Sequence, residues 1–142
     1  MRGDPAISVA VVDEVGNAGL TEEAASRLFS ASFSRLGLDL TRIGEVSVAL
    51  VDAETMRDLN FRFRNKEGPT DVLSFGIDGP YGEMVGEVVI CPSCASPGMG
   101  VDELVVHGAL HLGGMDHGED FEPSEMARVQ RAVMGELRDE EG

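Results

Sequence analysis

The stretch EVSVALV, Glu45 to Val51, runs directly into DAETMRDLNFRFR, Asp52 to Arg64. In the first part Val46, Val48 and Leu50 recur every second residue and share one face of a strand. In the second part Asp52 is a helix-capping residue, and Met56, Leu59 and Phe63 follow at helical spacing, pointing inward. A change of period from 2 to 3.6 without a linker predicts a strand followed at once by a helix. The fold therefore contains both a sheet and helices.

Working outward, Ile7 to Val12 is β-branched and apolar, and reads as a strand. Thr21 with Glu22 and Glu23 opens a helix in which Ala25, Leu28, Phe29, Ser32 and Leu36 recur up to Gly37. Asn65 to Pro69 is a turn-rich break and Val72 to Phe75 a short strand. Ile77 to Gly82 reads as loop, and Glu83 to Ile90 as a strand able to form a hairpin with its predecessor. Pro92 to Gly100 is loop, Val101 to Leu112 a helix ending at Gly113-Gly114, and Ser124 to Arg138 a last helix after Pro123. This order lacks strict βαβ alternation, so the expectation is an α+β domain over residues 1–142, with helices packed on a mixed sheet.

With 142 residues, 42% hydrophobic and 26% charged, the chain has the composition of a globular protein with one core. It holds no apolar run of about 18 residues, and Met1 to Pro5 lacks the apolar stretch of a signal peptide. The expectation is a cytoplasmic protein with no membrane partner. Cys91 and Cys94 are too few for a disulfide framework, and the Cys-Pro-Ser-Cys spacing lacks the following helix of a thioredoxin-like site. They read as small buried or loop residues.

The net charge of −15 opposes non-specific adhesion to nucleic-acid backbones or anionic lipid, and no DNA partner is expected. A nucleic-acid role needs a local cluster of cations. Arg57, Arg62, Arg64 and Lys66 supply one, and no Lys or Arg occurs between Lys66 and Arg128. Such a run also fits a solvated helix face, which is the commoner use of charge runs.

All three histidines lie between His107 and His117. Residues four apart on a helix are offset by about 40°, so His107 and His111 project from one face, one turn apart. Gly113 and Gly114 can adopt the left-handed conformation that reverses the chain and returns His117 as a third ligand. Three imidazoles suit Zn²⁺ and leave a fourth position for water or substrate, as in catalytic rather than structural sites. The spacing matches H-E-x-x-H-x-x-G-x-x-H, with Gly114 at the glycine, but Gly108 stands where zinc peptidases carry the glutamate base. Peptidase chemistry is therefore disfavoured. Asp116 is either a partner of the third ligand or a local turn former.

The segment His107-Gly-Ala-Leu-His111-Leu-Gly-Gly-Met-Asp116-His117 resembles the H-G-x-L-H-L-x-G-Y-D-H signature of the YbeY family of rRNA-maturation endoribonucleases. A second block, Leu59 to Phe75, resembles that family's L-N-x-x-Y-R-x-K-x-x-P-T-D-V-L-S-F, and Gly86 to Ile90 its G-D-I-x-I strand. Met115 and Phe63 replace tyrosines, and Gly68 stands where a lysine is common. The resemblance covers most of the chain after Glu45. It implies a zincin-like fold, one Zn²⁺ per chain held by His107, His111 and His117, and metal-dependent hydrolysis of single-stranded RNA. It further implies small-subunit rRNA 3′-end maturation, ribosome quality control and association with ribosomal components. Arg64 falls at the family's arginine, which would contact the RNA phosphate and stabilise its charge during catalysis, with Lys66 beside it in substrate binding. Thr70-Asp71 either bonds near the site or simply begins a strand. The alternatives are a metallohydrolase of small or peptide substrates, and a ribosome-associated factor with a mainly structural zinc.

Overall fold

A computed structural model of the chain describes residues 7–16, 19–115 and 124–141. The period-two segment forms strand β2 (Ile43–Leu50), and Asp52 caps helix α2 (Ala53–Arg64), its carboxylate accepting the Thr55 N–H at 2.8 Å. Strands β1 (Val9–Asp13) and β4 (Met84–Ile90) flank β2 in parallel, and β3 (Val72–Asp78) pairs antiparallel with β4 at the sheet edge. The order is β1-β2-β4-β3, the mixed sheet of an α+β fold.

Helices α1 (Glu22–Arg35), α3 (Val101–Leu112) and α4 (Glu125–Glu141) cover one face of this sheet. Val46, Val48 and Leu50 point into that layer, as the alternation predicts, and meet Phe29, Phe33, Leu104, Leu110 and Met126. Thr21 caps α1 by accepting the Ala24 N–H, and Ser124 does the same for α4 with Ala127. On the opposite face α2 buries Met56 in a smaller cluster with Val51, Leu73, Val89 and Cys91. Among the described residues no helix is long and apolar enough to cross a membrane.

Three expectations need correction. Phe63 does not point inward: it is 60% exposed, because the last turn of α2 overhangs the smaller cluster and lays the ring edge-on against Phe75, centroids 5.3 Å apart. Strand β3 does not stop at Phe75 but continues to Asp78, paired through Gly76↔Gly86 and Ile77↔Val85. Glycines in the paired strands allow close approach of α3: a Cβ at Gly86 would stand 2.9 Å from a Leu112 methyl, and one at Gly76 3.2 Å from another. Cys91 and Cys94 are joined by a disulfide around a short 3₁₀ turn, Pro92–Cys94, with Cys91 fully buried.

Helix α3 lies closest to the sheet at Gly108. A Cβ there would sit 2.4 Å from Val88 Cγ1 and 3.2 Å from Val72 Cγ2, and Ser74 Oγ on β3 donates to the Gly108 carbonyl at 3.0 Å. Val88 is fully buried on an inner strand and cannot yield. Gly108→Ala is therefore expected to cost about 1–3 kcal/mol in urea unfolding, the usual penalty of overpacking. Combined with Val88→Ala it should cost less than the sum of the two single substitutions; strict additivity would mean the two positions do not collide.

Candidate active site

The two described histidines sit on the outer half of α3, half-buried, with ring centroids 4.8 Å apart. Helical spacing alone brings them together. Their ring nitrogens are set by different partners. His107 Nδ1 lies 2.9 Å from Gln130 Oε1 on α4, and His111 Nδ1 lies 3.0 Å from the Met115 carbonyl oxygen. A carbonyl oxygen only accepts, so His111 Nδ1 donates to Met115, and His107 Nδ1 donates to Gln130 in the amide orientation that turns Oε1 toward it; a neutral ring then keeps its lone pair on Nε2. That is the protonation pattern of metal-ligating histidine, whose second nitrogen donates to a carbonyl or carboxylate.

The partner of His111 comes from the way α3 ends. The Gly114 N–H donates to the His111 carbonyl and the Met115 N–H to the Leu110 carbonyl, each at 3.0 Å, with Gly114 at φ 106°. This glycine-terminated cap turns the Met115 carbonyl back onto the last turn. Only Gly114 is left-handed; Gly113 has φ −77°, and its missing Cβ makes room for Leu36 of the α1 C-cap, 2.4 Å from where a Cβ would be. The doubled glycine thus serves one turn and one close contact, where the sequence suggests two left-handed residues. His117 and Asp116 lie outside the described residues. Among the described residues no third His, Cys, Asp or Glu joins the pair as a ready metal site.

His107 and His111 open into a cleft of about 1110 Å³. One wall is β3, through Val72, Ser74, Gly76 and Asp78; another is the end of α2 and the break after it, through Asn60, Arg64, Lys66, Thr70 and Asp71. Leu38, Asp39 and Arg42 close the far side. Arg64 and Lys66 are therefore brought to the cavity that the histidines face. Arg57 and Arg62 are not: Arg57 lies two turns back along the helix, and Arg62 turns to Asp58 at 3.2 Å. Among the described residues no ion pair engages Arg64.

Sequence reasoning missed several residues that build this cleft. Asn60 is buried, 6% exposed, and its amide donates to the Gly68 carbonyl at 2.9 Å, pinning the break that presents Lys66 and Thr70. Asn65 ends α2 in the left-handed region at φ 54°, which asparagine tolerates better than most residues. Arg42 is a further cation of the wall, and its guanidinium donates to the Gly82 carbonyl at 3.4 Å. Gln130 had a readable signal: it is an uncharged polar residue in the stripe Met126, Ala127, Val133 and Leu137 that α4 buries.

A profile described as "Endoribonuclease YbeY" matches residues 10–138. The chain belongs to the YbeY family of endoribonucleases. A family member from Rubrobacter xylanophilus, named endoribonuclease YbeY, is 63% identical over 92% of this chain and 96% of its own length. One of the same name from Thermobifida fusca is 39% identical over 93% and 95%. The solution structure of TM1509 from Thermotoga maritima superposes with a TM-score of 0.52 at 25% identity, covering 93% of both chains. Membership in the family implies a metal-dependent nuclease, and the lone-pair arrangement of His107 and His111 fits a metal.

Asp39 in the cleft wall has its carboxyl held below the ordinary value of 3.8, chiefly by hydrogen bonds from the Thr41 hydroxyl and the Thr41 N–H. A lowered folded-state pKa adds stability above the unfolded value, and that stability is lost as pH falls through the folded one. The advantage of the wild type over Asp39→Asn should hold at neutral pH and shrink once pH drops below about 3.8. An advantage that grew in acid would contradict this assignment.

Proposed function

We propose that this chain is a zinc-dependent endoribonuclease that cuts single-stranded RNA in rRNA processing. The reading extends to small-subunit rRNA 3′-end maturation and ribosome quality control in the cytoplasm, in association with ribosomal components. One observation carries it: the cleft that receives the lone-pair side of His107 and His111 also receives Arg64 and Lys66. A basic cluster on a chain of net charge −15 has little reason to gather beside a metal-type histidine pair unless the substrate is anionic.

His107, His111 and His117 would hold one Zn²⁺, three neutral imidazoles being a donor set that zinc accepts in catalytic sites. Bound there, zinc supplies Lewis acidity to the phosphodiester and makes water a stronger nucleophile near neutral pH. The Arg64 guanidinium grips phosphate oxygens through two N–H groups and opposes the charge that builds on them as the bond breaks. Lys66, on the break after α2, adds a point charge along the strand's path.

The peptide-cleaving alternative has an obstacle in the packing. Position 108 faces Val88 and Val72, so a glutamate there would run into the sheet instead of reaching the cleft. Purified protein should leave casein and unfolded peptides uncut, and zinc-dependent proteolysis by the wild type would overturn that exclusion.

The deciding experiment is cleavage of unstructured against base-paired RNA by metal-defined protein, with His111→Ala as the control for contaminating nuclease. His107→Ala, His111→Ala or His117→Ala should each lower zinc affinity by about 10-fold or more. Full zinc occupancy in His117→Ala would remove the third ligand. Arg64→Glu should depress cleavage strongly with zinc content unchanged, Arg64→Lys should restore it partly, and Arg57→Glu should matter less. Binding should weaken with salt by about 0.7 in log K per log unit for each phosphate contacted, and few phosphates should be involved. Equal cleavage by wild type and Arg64→Glu across a salt series would place the RNA elsewhere.

A further inference from the structure

Helix α4 buries one face against α3 and α1, and the described residues of that face are apolar except for Gln130, which is 3% exposed. A primary amide taken out of water is costly unless its oxygen and nitrogen find partners. The oxygen finds His107 Nδ1 at 2.9 Å, across the α3–α4 contact. The two histidines are thus set by unlike means. His111 Nδ1 meets a main-chain carbonyl that no substitution at position 115 removes, whereas His107 Nδ1 meets a side chain from another helix.

We propose that Gln130 is a positioning residue of the metal centre. Its amide oxygen fixes the His107 ring as the Nδ1–H tautomer, so that Nε2 presents its lone pair toward the cleft beside that of His111. The inference rests on the reading of His107 as a zinc ligand and goes beyond it, by assigning the control of one ligand to α4. The amide's orientation decides the matter. Turned the other way, its NH₂ would donate to Nδ1, force the proton onto Nε2 and block the ring as a ligand.

The test uses the full chain with ¹⁵N-labelled histidine, free of metal, at about pH 8, where an ordinary imidazole is neutral. Two-bond ¹H–¹⁵N correlations then report each ring's tautomer, with the three rings assigned from the single variants His107→Ala, His111→Ala and His117→Ala. Wild type should show the His107 and His111 rings as Nδ1–H. Gln130→Met, which keeps the length but lacks a good acceptor, should release His107 from that form and leave His111 unchanged. Zinc affinity, read by competition with a chromophoric chelator, should fall about 10- to 100-fold in Gln130→Met and be preserved in Gln130→Glu, whose carboxylate accepts the same bond. Gln130→Asn, too short to reach, is the second loss variant should the methionine impair folding, which thermal melting would reveal. Retention by the folded loss variant of either the wild-type His107 tautomer or wild-type zinc affinity overturns the proposal, as does equal loss in Gln130→Glu. A wild type that takes up no zinc sinks the proposed function and is recognised by that result alone. A loss variant that binds zinc as tightly as wild type sinks only this inference.

Discussion

The contact between Gly108 and the sheet is the constraint on which the rest of the molecule depends. A helix normally stands off a sheet by the thickness of its side chains, but α3 has no side chain at the point where Val88 and Val72 rise to meet it. The Ser74 hydroxyl fastens the helix there through the Gly108 carbonyl. One turn further on, Leu112 lies over Gly76 and Gly86, a cross-strand pair that also lacks side chains. The helix is thereby seated low on β3 and β4. His107 and His111 open beside β3 into the cleft that Arg64, at the end of α2, and Lys66, on the break after it, also line.

The same economy explains the difference from zinc peptidases. Their motif needs a glutamate next to the first histidine, and this fold uses that position to pack the helix on the sheet. A side chain there would lift α3 and move both histidines. The cleft offers a histidine pair of metal-binding type and cations brought from a separate element, a combination that suits a phosphodiester better than a peptide bond. The acidic balance of the chain sharpens that selectivity. On a chain of net charge −15, Arg42, Arg64 and Lys66 gather on the cleft wall.

Much of this was legible in the sequence. Helix α3 was readable to its end residues, and the α+β class followed from the switch of period at Asp52. The pairing of His107 with His111 was also readable, because spacing on a helix is a local property. The sequence assigns no role to Gln130, Asn60 or Arg42, since their roles depend on what lies opposite: an imidazole on another helix, a carbonyl eight residues on, and a turn far along the chain. Phe63 was misplaced because a periodic stripe tells which side of a helix is apolar, not how far the surface beneath it extends.

By itself the sequence determined the order and type of the elements, the spacing of the metal-type histidines and the place of the basic cluster, all set by backbone periodicity and near neighbours. Only the tertiary structure decided that glycines 76, 86 and 108 are contact residues, since a missing side chain acquires meaning from the atom that takes its space. The choice of Arg64 from the cluster came from the family resemblance, and the structure adds that α2 ends where this arginine and the histidines line one cleft. The surroundings of the imidazoles were likewise decided in three dimensions: the group facing His107 Nδ1 stands on α4, far along the chain.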